Sequence, residues 1–191
     1  MSGSASEARF AADAQVILAT QHWLERIVIG LNLCPFARAP FVQQRLRYCV
    51  SHALDEQTLL ADLHTELLAL HTADAQQCET TLLIHPDVLC DFLDYNDFLA
   101  IADDALRELG LDGELQIASF HPDYQFANTA RDAIENYTNR SPHPTLHLLR
   151  ETSVARAVES IADTDDIYRR NIATLRTLGL AGWRKLMHDD I

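Results

Sequence analysis

The fold is decided by a stretch in the middle of the chain, TTLLIHP at residues 80–86. Its β-branched and apolar residues, closed by His-Pro, predict a short buried strand. Proline restricts the residue before it to extended backbone conformations, so His85 is held where this strand ends. The other elements of the fold are identified outward from this strand.

Helical periodicity lies on both sides of the strand. Apolar residues recur at three- and four-residue spacing, which is typical of amphipathic helices. The predicted helices cover residues 16–31, 59–70, 88–109, 153–161 and 164–179. Ser153 is the predicted N-cap of the fourth helix, and Gly110 and Gly179 end the third and fifth.

Three further strands are predicted, at residues 45–51, 115–120 and 145–150. The alternation of helices and strands indicates an α/β protein. We expect a single-domain layered fold, in which a mixed sheet of about four strands packs with helices. This domain covers residues 13–191, and residues 1–12 form a disordered N-terminal tail.

A long loop, residues 121–145, joins the third and fourth predicted strands. Loops of that length within a domain are uncommon and are usually functional or disordered. This one carries Tyr124, Phe126 and Tyr137, which are too many aromatic residues for simple disorder. We therefore predict an ordered active-site loop with a helical turn near residues 132–135.

Composition restricts the classes of partner. The chain has 28 acidic and 15 basic residues and a formal net charge of -13. A field of that sign opposes binding to nucleic acid and to anionic membranes. We expect no nucleic-acid or membrane partner and a small-molecule ligand instead, while the oligomeric state stays open.

The predicted location is the cytoplasm. The longest apolar runs are a few residues, too short for a membrane span, and residues 1–9 do not have the pattern of a secretory signal. The four cysteines contain no C-x-x-C pair, so they do not indicate a zinc ribbon or a thioredoxin-like motif. In a reducing compartment most of them are expected to be buried thiols.

The nine histidines indicate where a site lies. His52, His85 and His121 follow the first three predicted strands, which helical crossovers make parallel. If the fourth strand is antiparallel, it begins at the same edge, just after His143. Ligands of open α/β sheets bind at the carboxyl ends of the strands, so this rim is the predicted site.

Three chemistries are open at this rim. A divalent metal, zinc or iron, suits imidazole and carboxylate ligands. The candidate ligands are His85, His121, Asp123, His143 and His147. His121 is alternatively a general base. The structural alternative is that the His-Pro pairs only shape loops.

The second chemistry uses the thiol of Cys34, a candidate catalytic residue. It follows a predicted helix C-terminus, where the dipole raises a thiol pKa, so a protonated His or Arg38 would be needed to activate it. The alternative is a packed helix-end cysteine.

The third is anion binding by guanidinium groups. Arg140 is a candidate catalytic and substrate-binding residue, and Asn139, Arg150 and Tyr124 are candidate substrate-binding residues. The alternative for Arg150 is a structural ion pair with Glu151 or another nearby acid.

Four segments together resemble one protein family. They are NLCPFA at residues 32–37, SFHPDYQF at 119–126, NYTNRSP at 136–142 and PTLHLLRE at 144–151. They are similar to the bacterial domain-of-unknown-function 1415 family, over about residues 14–178. The resemblance implies that Cys34, the His121 loop and residues 139–151 belong to one family signature, and it supplies no substrate.

The leading hypothesis is a cytoplasmic enzyme, with hydrolysis as the first guess, that acts on a small anionic molecule at a His-rich, metal-binding rim. The alternative is a non-catalytic protein that binds a metal or another ligand. A third possibility is an adaptor with dispersed histidines and an exposed apolar patch around the final helix and Trp183. An enzyme of the predicted kind requires His, Asp and Arg groups that face one point.

Overall fold

The structure, a computed structural model, describes residues 3–159 and 164–188. Its centre is a four-stranded sheet, and the chain has the predicted α/β fold. The strands are β1 (Leu46–Val50), β2 (Thr80–Ile84), β3 (Leu115–Phe120) and β4 (Thr145–Arg150). The bounds of β2, β3 and β4 confirm the prediction, and β1 is one residue shorter at each end.

The strand order is β1-β2-β4-β3. β1 and β2 are parallel, whereas β4 is antiparallel to both of its neighbours. The first three strands therefore run in the same direction, and β4 begins at the edge where they end. The strand directions on which the predicted rim depends are confirmed.

Six α-helices surround the sheet within residues 3–159 and 164–188. They are α1 (Gly3–Trp23), α2 (Arg38–Val42), α3 (Glu56–Thr72), α4 (Phe92–Glu108), α5 (Glu151–Glu159) and α6 (Thr164–His188). A π-helical segment, Leu24–Ile29, extends α1, and a 3₁₀ helix, Ile134–Thr138, lies in the long loop. The aspartates Asp55 and Asp91 cap α3 and α4, and Gly110, with φ +68°, follows α4.

The helices differ from the prediction at several boundaries, and α2 was not predicted. α3 is longer than the predicted 59–70 at both ends, and α4 begins four residues later than predicted and ends one residue earlier. α1 begins at Gly3, so it overlaps the predicted tail over residues 1–12, of which residues 1 and 2 lie outside the described part. α5 begins at Glu151, directly after β4, so the N-cap prediction for Ser153 is wrong. Its predicted end at Ile161 lies outside the described residues. Gly179 (φ 67°, ψ 168°) kinks α6, but helix resumes beyond it.

Two apolar layers cover the two faces of the sheet. Leu83 and Leu146 pack with α3 and α4 in one core. On the other face Leu46, Tyr48 and Phe120 contact a second core built from α1, the π-helical segment, the 3₁₀ helix and α6. Trp183 is only 7% exposed in that second core, so the final helix does not present it as a surface patch.

Among the described helices none is long and apolar enough to cross a membrane.

Candidate functional site

The predicted rim is a continuous edge of the sheet. The backbone N–H of His85 donates to Pro144 O at 3.0 Å, and that of His121 donates to Asn139 O at 3.2 Å. These bonds join the ends of β2 and β3 to the segment that leads into β4. The strand ends thus keep their extended pairing, and the faces on which their side chains lie follow from strand alternation.

His85 and His121 form a buried aromatic cluster with Tyr95 on the α4 side of the sheet. Neither histidine is exposed to solvent. The centre of the Tyr95 ring lies 5.7 Å from that of His85 and 5.1 Å from that of His121. The Tyr95 hydroxyl donates to Thr145 O at 2.8 Å and accepts from the backbone N–H of Phe120 at 3.1 Å. The cluster closes the end of the core.

The backbone engages both ring nitrogens of His121. Nε2 lies 3.2 Å from Leu89 O and donates to it, and Nδ1 accepts the Asp123 N–H at 3.0 Å. His85 donates from Nδ1 to Val88 O at 3.0 Å, so its buried Nε2 holds a lone pair that has no hydrogen-bond partner among the described residues. Burial lowers the pKa of His121, and it lowers that of His85 to about 4.

His147 lies on the opposite face of the sheet from His85 and His121. It is directly opposite Leu82 and Ala118, and its Nε2 lies 2.6 Å from Thr80 Oγ1. Burial lowers its pKa to about 4. His147 is thus separated by the sheet from the other two predicted ligands.

The remaining predicted metal ligands do not join them. His143 is half-buried, and burial lowers its pKa. Asp123 forms an exposed ion pair with Arg131 at 3.1 Å. No group of three or more His, Cys, Asp or Glu side chains that could hold a metal occurs in the described part of the chain. The structure does not bring the predicted ligand set His85, His121, Asp123, His143 and His147 to one point.

Both candidate anion-binding arginines donate to backbone carbonyls. Arg150 Nη2 lies 2.6 Å from Leu70 O and 2.7 Å from Ala73 O, so it binds the C-terminal end of α3. Arg140 Nη2 donates to Arg131 O at 2.7 Å, and its guanidinium lies 4.1 Å from the centre of the Tyr137 ring. These contacts hold the fold and the long loop together.

A cavity of about 310 Å³ opens at the end of β3, on the face opposite the His85–His121 cluster. Three parts of the chain line it: the π-helical segment with the residues that follow it, the end of β3 with its loop, and α6. We call it the rim cavity; its lining is Val28, Leu33, Cys34, Phe120, Phe126, Thr138, Asn139, Ile167, Tyr168 and Asn171. None of these side chains carries a formal charge unless the Cys34 or Tyr168 proton is lost.

Strand alternation explains why the cavity and the histidines are on opposite faces. Phe120 ends β3 and packs on Trp23 with the rings 5.2 Å apart, whereas the next residue, His121, packs on Tyr95. Successive side chains of an extended chain point to opposite faces. The candidate residues Cys34 and Asn139 share the rim cavity, but His121, Arg140, Arg150 and Tyr124 do not line it.

The π-helical segment places Cys34 in the cavity wall. The N–H groups of Gly30 and Leu33 donate to carbonyls five residues earlier, at 2.9 Å each, and Asn32 has φ 53°. Irregular turns of this kind occur often at functional sites. Burial raises the Cys34 pKa, although backbone hydrogen bonds from Phe36 and Ala37 partly oppose that shift. The group that faces the cavity is therefore a protonated thiol.

Asn136 organises the loop that supplies Phe126, Thr138 and Asn139. Its Oδ1 accepts from Phe126 N–H at 2.9 Å and from Thr129 Oγ1 at 2.8 Å. Its Nδ2 donates to Ala130 O at 2.8 Å. Asn136 is fully buried, so these bonds determine the loop conformation.

Four residues of the cavity wall were not predicted as site residues: Phe120, Thr138, Tyr168 and Asn171. One signal was available: Asn171 is a polar residue within the apolar stripe of the last predicted helix. A polar residue at such a position needs a hydrogen-bond partner, and here Nδ2 donates to Leu33 O at 2.7 Å.

A second, more polar cavity of about 380 Å³ lies beside β1. Its lining includes Cys49, Asp62 and Glu66, which the sequence analysis did not single out. Ser51 Oγ donates to Asp62 at 2.5 Å, and Arg47 pairs with Glu66 at 2.8 Å. Burial and Glu66 raise the Cys49 pKa to about 12. This network stabilises the edge strand.

Fold and cavity together define a single-domain α/β protein with a small pocket at the carboxyl end of its sheet. The chain matches the family described as "Protein of unknown function (DUF1415)" over residues 15–185, and it belongs to that family. No curated protein and no solved structure matches the chain.

Proposed function

We propose that this protein binds a small, uncharged organic molecule in the rim cavity. One observation carries the proposal: the cavity brings together Cys34 and Asn139, from segments about a hundred residues apart, in a wall that is otherwise mostly apolar. Its volume of about 310 Å³ lies at the lower end of the usual range for ligand pockets. The position at the carboxyl end of β3 is where α/β folds bind ligands.

The proposed ligand is uncharged, whereas the sequence predicted an anionic ligand. Arg140 and Arg150 are already bonded to carbonyl oxygens, and neither lines the rim cavity. A carboxylate placed there would lose hydration without gaining a cationic partner from the wall. An uncharged ligand incurs no such cost.

Titration followed by two-dimensional NMR tests this function. The probes are naphthalene-2-methanol and 2-naphthoate, which share a ring system and differ in charge. We expect the alcohol to shift the signals of Leu33, Cys34 and Asn139, and to bind at least about tenfold more tightly than the acid. Preferential binding of 2-naphthoate, or shifts centred on His85 and His121, would contradict the proposal.

Two cysteine variants provide the control. Cys34→Phe fills the rim cavity and is expected to abolish binding of naphthalene-2-methanol. Cys90→Phe adds the same ring at an exposed position outside the cavity and is expected to leave binding unchanged. Unfolding curves for both variants show whether each remains folded.

A thiol reaction at Cys34 is a second candidate. The observation that favours it is the position of Cys34 in the wall of the rim cavity, where a bound molecule would contact the thiol. Alkylation by iodoacetamide that is no faster at Cys34 than at exposed Cys90 would argue against thiol activation.

Metal binding at the rim stays a prediction of the sequence. Elemental analysis of untagged protein, purified without chelators, tests it. Near-stoichiometric zinc or iron that is lost in His121→Asn would support a metal site, whereas unchanged metal content in the variant would remove His121 from it.

A cytoplasmic location and the absence of nucleic-acid partners are part of the proposal. The net charge of -13 and the four free cysteines support them.

A further inference from the structure

We infer that the ligand of the rim cavity is a flat aromatic molecule whose N–H group donates a hydrogen bond to Oδ1 of Asn171. This inference rests on the proposed function and specifies the ligand class. It depends on the orientation of one buried amide, on the lack of a donor for its oxygen, and on the aromatic character of the surrounding wall.

Asn171 has a fixed orientation. It is 8% exposed, and its Nδ2 lies 2.7 Å from the carbonyl oxygen of Leu33. Because a carbonyl only accepts, the nitrogen of the amide must face Leu33. The oxygen is therefore the part of the Asn171 amide that is left for the cavity.

Oδ1 of Asn171 has no hydrogen-bond donor within the part of the chain that the structure describes. The other amide in the wall is in a different state: Asn139 Nδ2 donates to Ser119 O at 3.1 Å, and its Oδ1 lies 3.0 Å from Thr138 Oγ1, whose one proton it shares with Glu135 O. A ligand that supplies a donor to this oxygen gains a hydrogen bond that a ligand of the same shape without a donor cannot form.

The body of the ligand follows from the rest of the wall. Phe120, Phe126 and Tyr168 contribute three aromatic rings to the cavity. Aromatic rings pack well on flat aromatic ligands, in stacked or edge-to-face geometry. A cavity of about 150 Å³ is sufficient for benzene, so about 310 Å³ can hold a two-ring molecule.

Indole and benzothiophene test the inference, because they have nearly the same shape and only indole has an N–H donor. Isothermal titration of the full-length protein with each is expected to show indole binding about tenfold more tightly, which corresponds to one hydrogen bond of about 1.4 kcal/mol. In Asn171→Leu the two probes should bind with equal affinity. If that variant does not fold, equal affinity of the wild-type protein for indole and benzothiophene still overturns the inference.

The possible outcomes separate the two levels of the proposal. Equal affinity of the wild-type protein for both probes, or tighter binding of benzothiophene, overturns the role of Asn171 and leaves the proposed function intact. Binding of neither probe, in a protein that does bind naphthalene-2-methanol, overturns the ligand class. Failure of all three probes overturns the proposed function as well.

Discussion

The histidines of the rim are uncharged side chains at neutral pH, and their burial has a consequence for acid stability. Burial lowers the pKa of His85 and His147 from 6.5 to about 4. The unfolded chain therefore takes up protons at a higher pH than the folded protein does. The contribution of these two histidines to the unfolding free energy is complete above about pH 6.5 and is lost as the pH falls towards 4.

His85 contributes about 2 kcal/mol to the loss of unfolding free energy between pH 7 and pH 5, a window above the titration of most carboxylates. His85→Asn removes the titrating group and keeps an N–H donor for Val88 O. Urea unfolding at pH 7, 6 and 5 should give a smaller pH dependence for the variant than for the wild type. Identical pH dependence would show that His85 is accessible to protons in the folded state.

Asn136 is the residue on which the loop conformation depends most. Asn136→Ala leaves the Phe126 N–H and the Ala130 carbonyl without their partner. We expect a loss of at least about 2 kcal/mol in unfolding free energy. Asn96→Ala, at an exposed position of α4, is the matched control and should change stability by less than about 0.5 kcal/mol.

At the scale of elements, the side chain of Arg150 links β4 to α3 by hydrogen bonds. Arg150 reaches from the end of β4 to carbonyl oxygens at the C-terminal end of α3 and to Cys78 O at 3.3 Å. A guanidinium can donate to several acceptors at once, and a positive charge is favourable at that helix end. Sequence alone could not reveal this role, because the contacts join residues more than seventy positions apart.

Arg150→Met is expected to lower the unfolding free energy by about 2 kcal/mol and to leave the affinity for naphthalene-2-methanol unchanged. Arg107→Met is the control, since Arg107 forms only an exposed ion pair with Asp104 and should contribute less than about 1 kcal/mol. A large loss of probe affinity in a folded Arg150→Met protein would restore Arg150 as a ligand-binding residue.

Strands were easier to predict than the ends of helices. β2 is fully apolar or β-branched and is bounded by His-Pro, so its limits are visible in the sequence. The π-helical segment could not be predicted from the sequence. Its N–H groups donate to carbonyls five residues earlier instead of four, and local residue types do not encode that difference. Gly179 is a sound signal for the end of a helix, yet the chain resumes helical conformation because Trp183 packs on Tyr137 at 5.0 Å.

At the scale of the whole molecule, the predicted rim exists, but the sequence did not predict on which face of the sheet the cavity lies. Strand directions could be deduced from the helical crossovers, and they place the ends of β1, β2 and β3 together. The face on which a pocket opens depends on how α6 and the loop pack, which is a long-range property. Phe120 and His121 are consecutive residues of an extended segment, so their side chains point to opposite faces of the sheet. A site that contains Phe120 therefore lies on the other face from the His85–His121 cluster.

The N-terminal boundary of the domain can be tested at this scale. Residues 6–12 of α1 are exposed, whereas Asp13 pairs with His52 at 3.2 Å and Thr20 is buried. Deletion of residues 1–12 should lower Tm by no more than about 2–4 °C, which corresponds to about 1 kcal/mol. Deletion through residue 20 is the comparison and should cause a much larger loss. Loss of cooperative unfolding in the shorter deletion would place the boundary nearer the N-terminus.

The position of β4 has a consequence for how the protein forms during synthesis. β4 is the last of the four strands in sequence order, but it lies between β2 and β3. While a nascent chain emerges from the ribosome, β1 and β2 can pair, whereas β3 has no neighbour until residues 145–150 appear. Domains of this size generally fold as units. Completion of this sheet must therefore wait until residues 145–150 have been made, and until then the unpaired edges of β2 and β3 are the surfaces that a chaperone would have to protect.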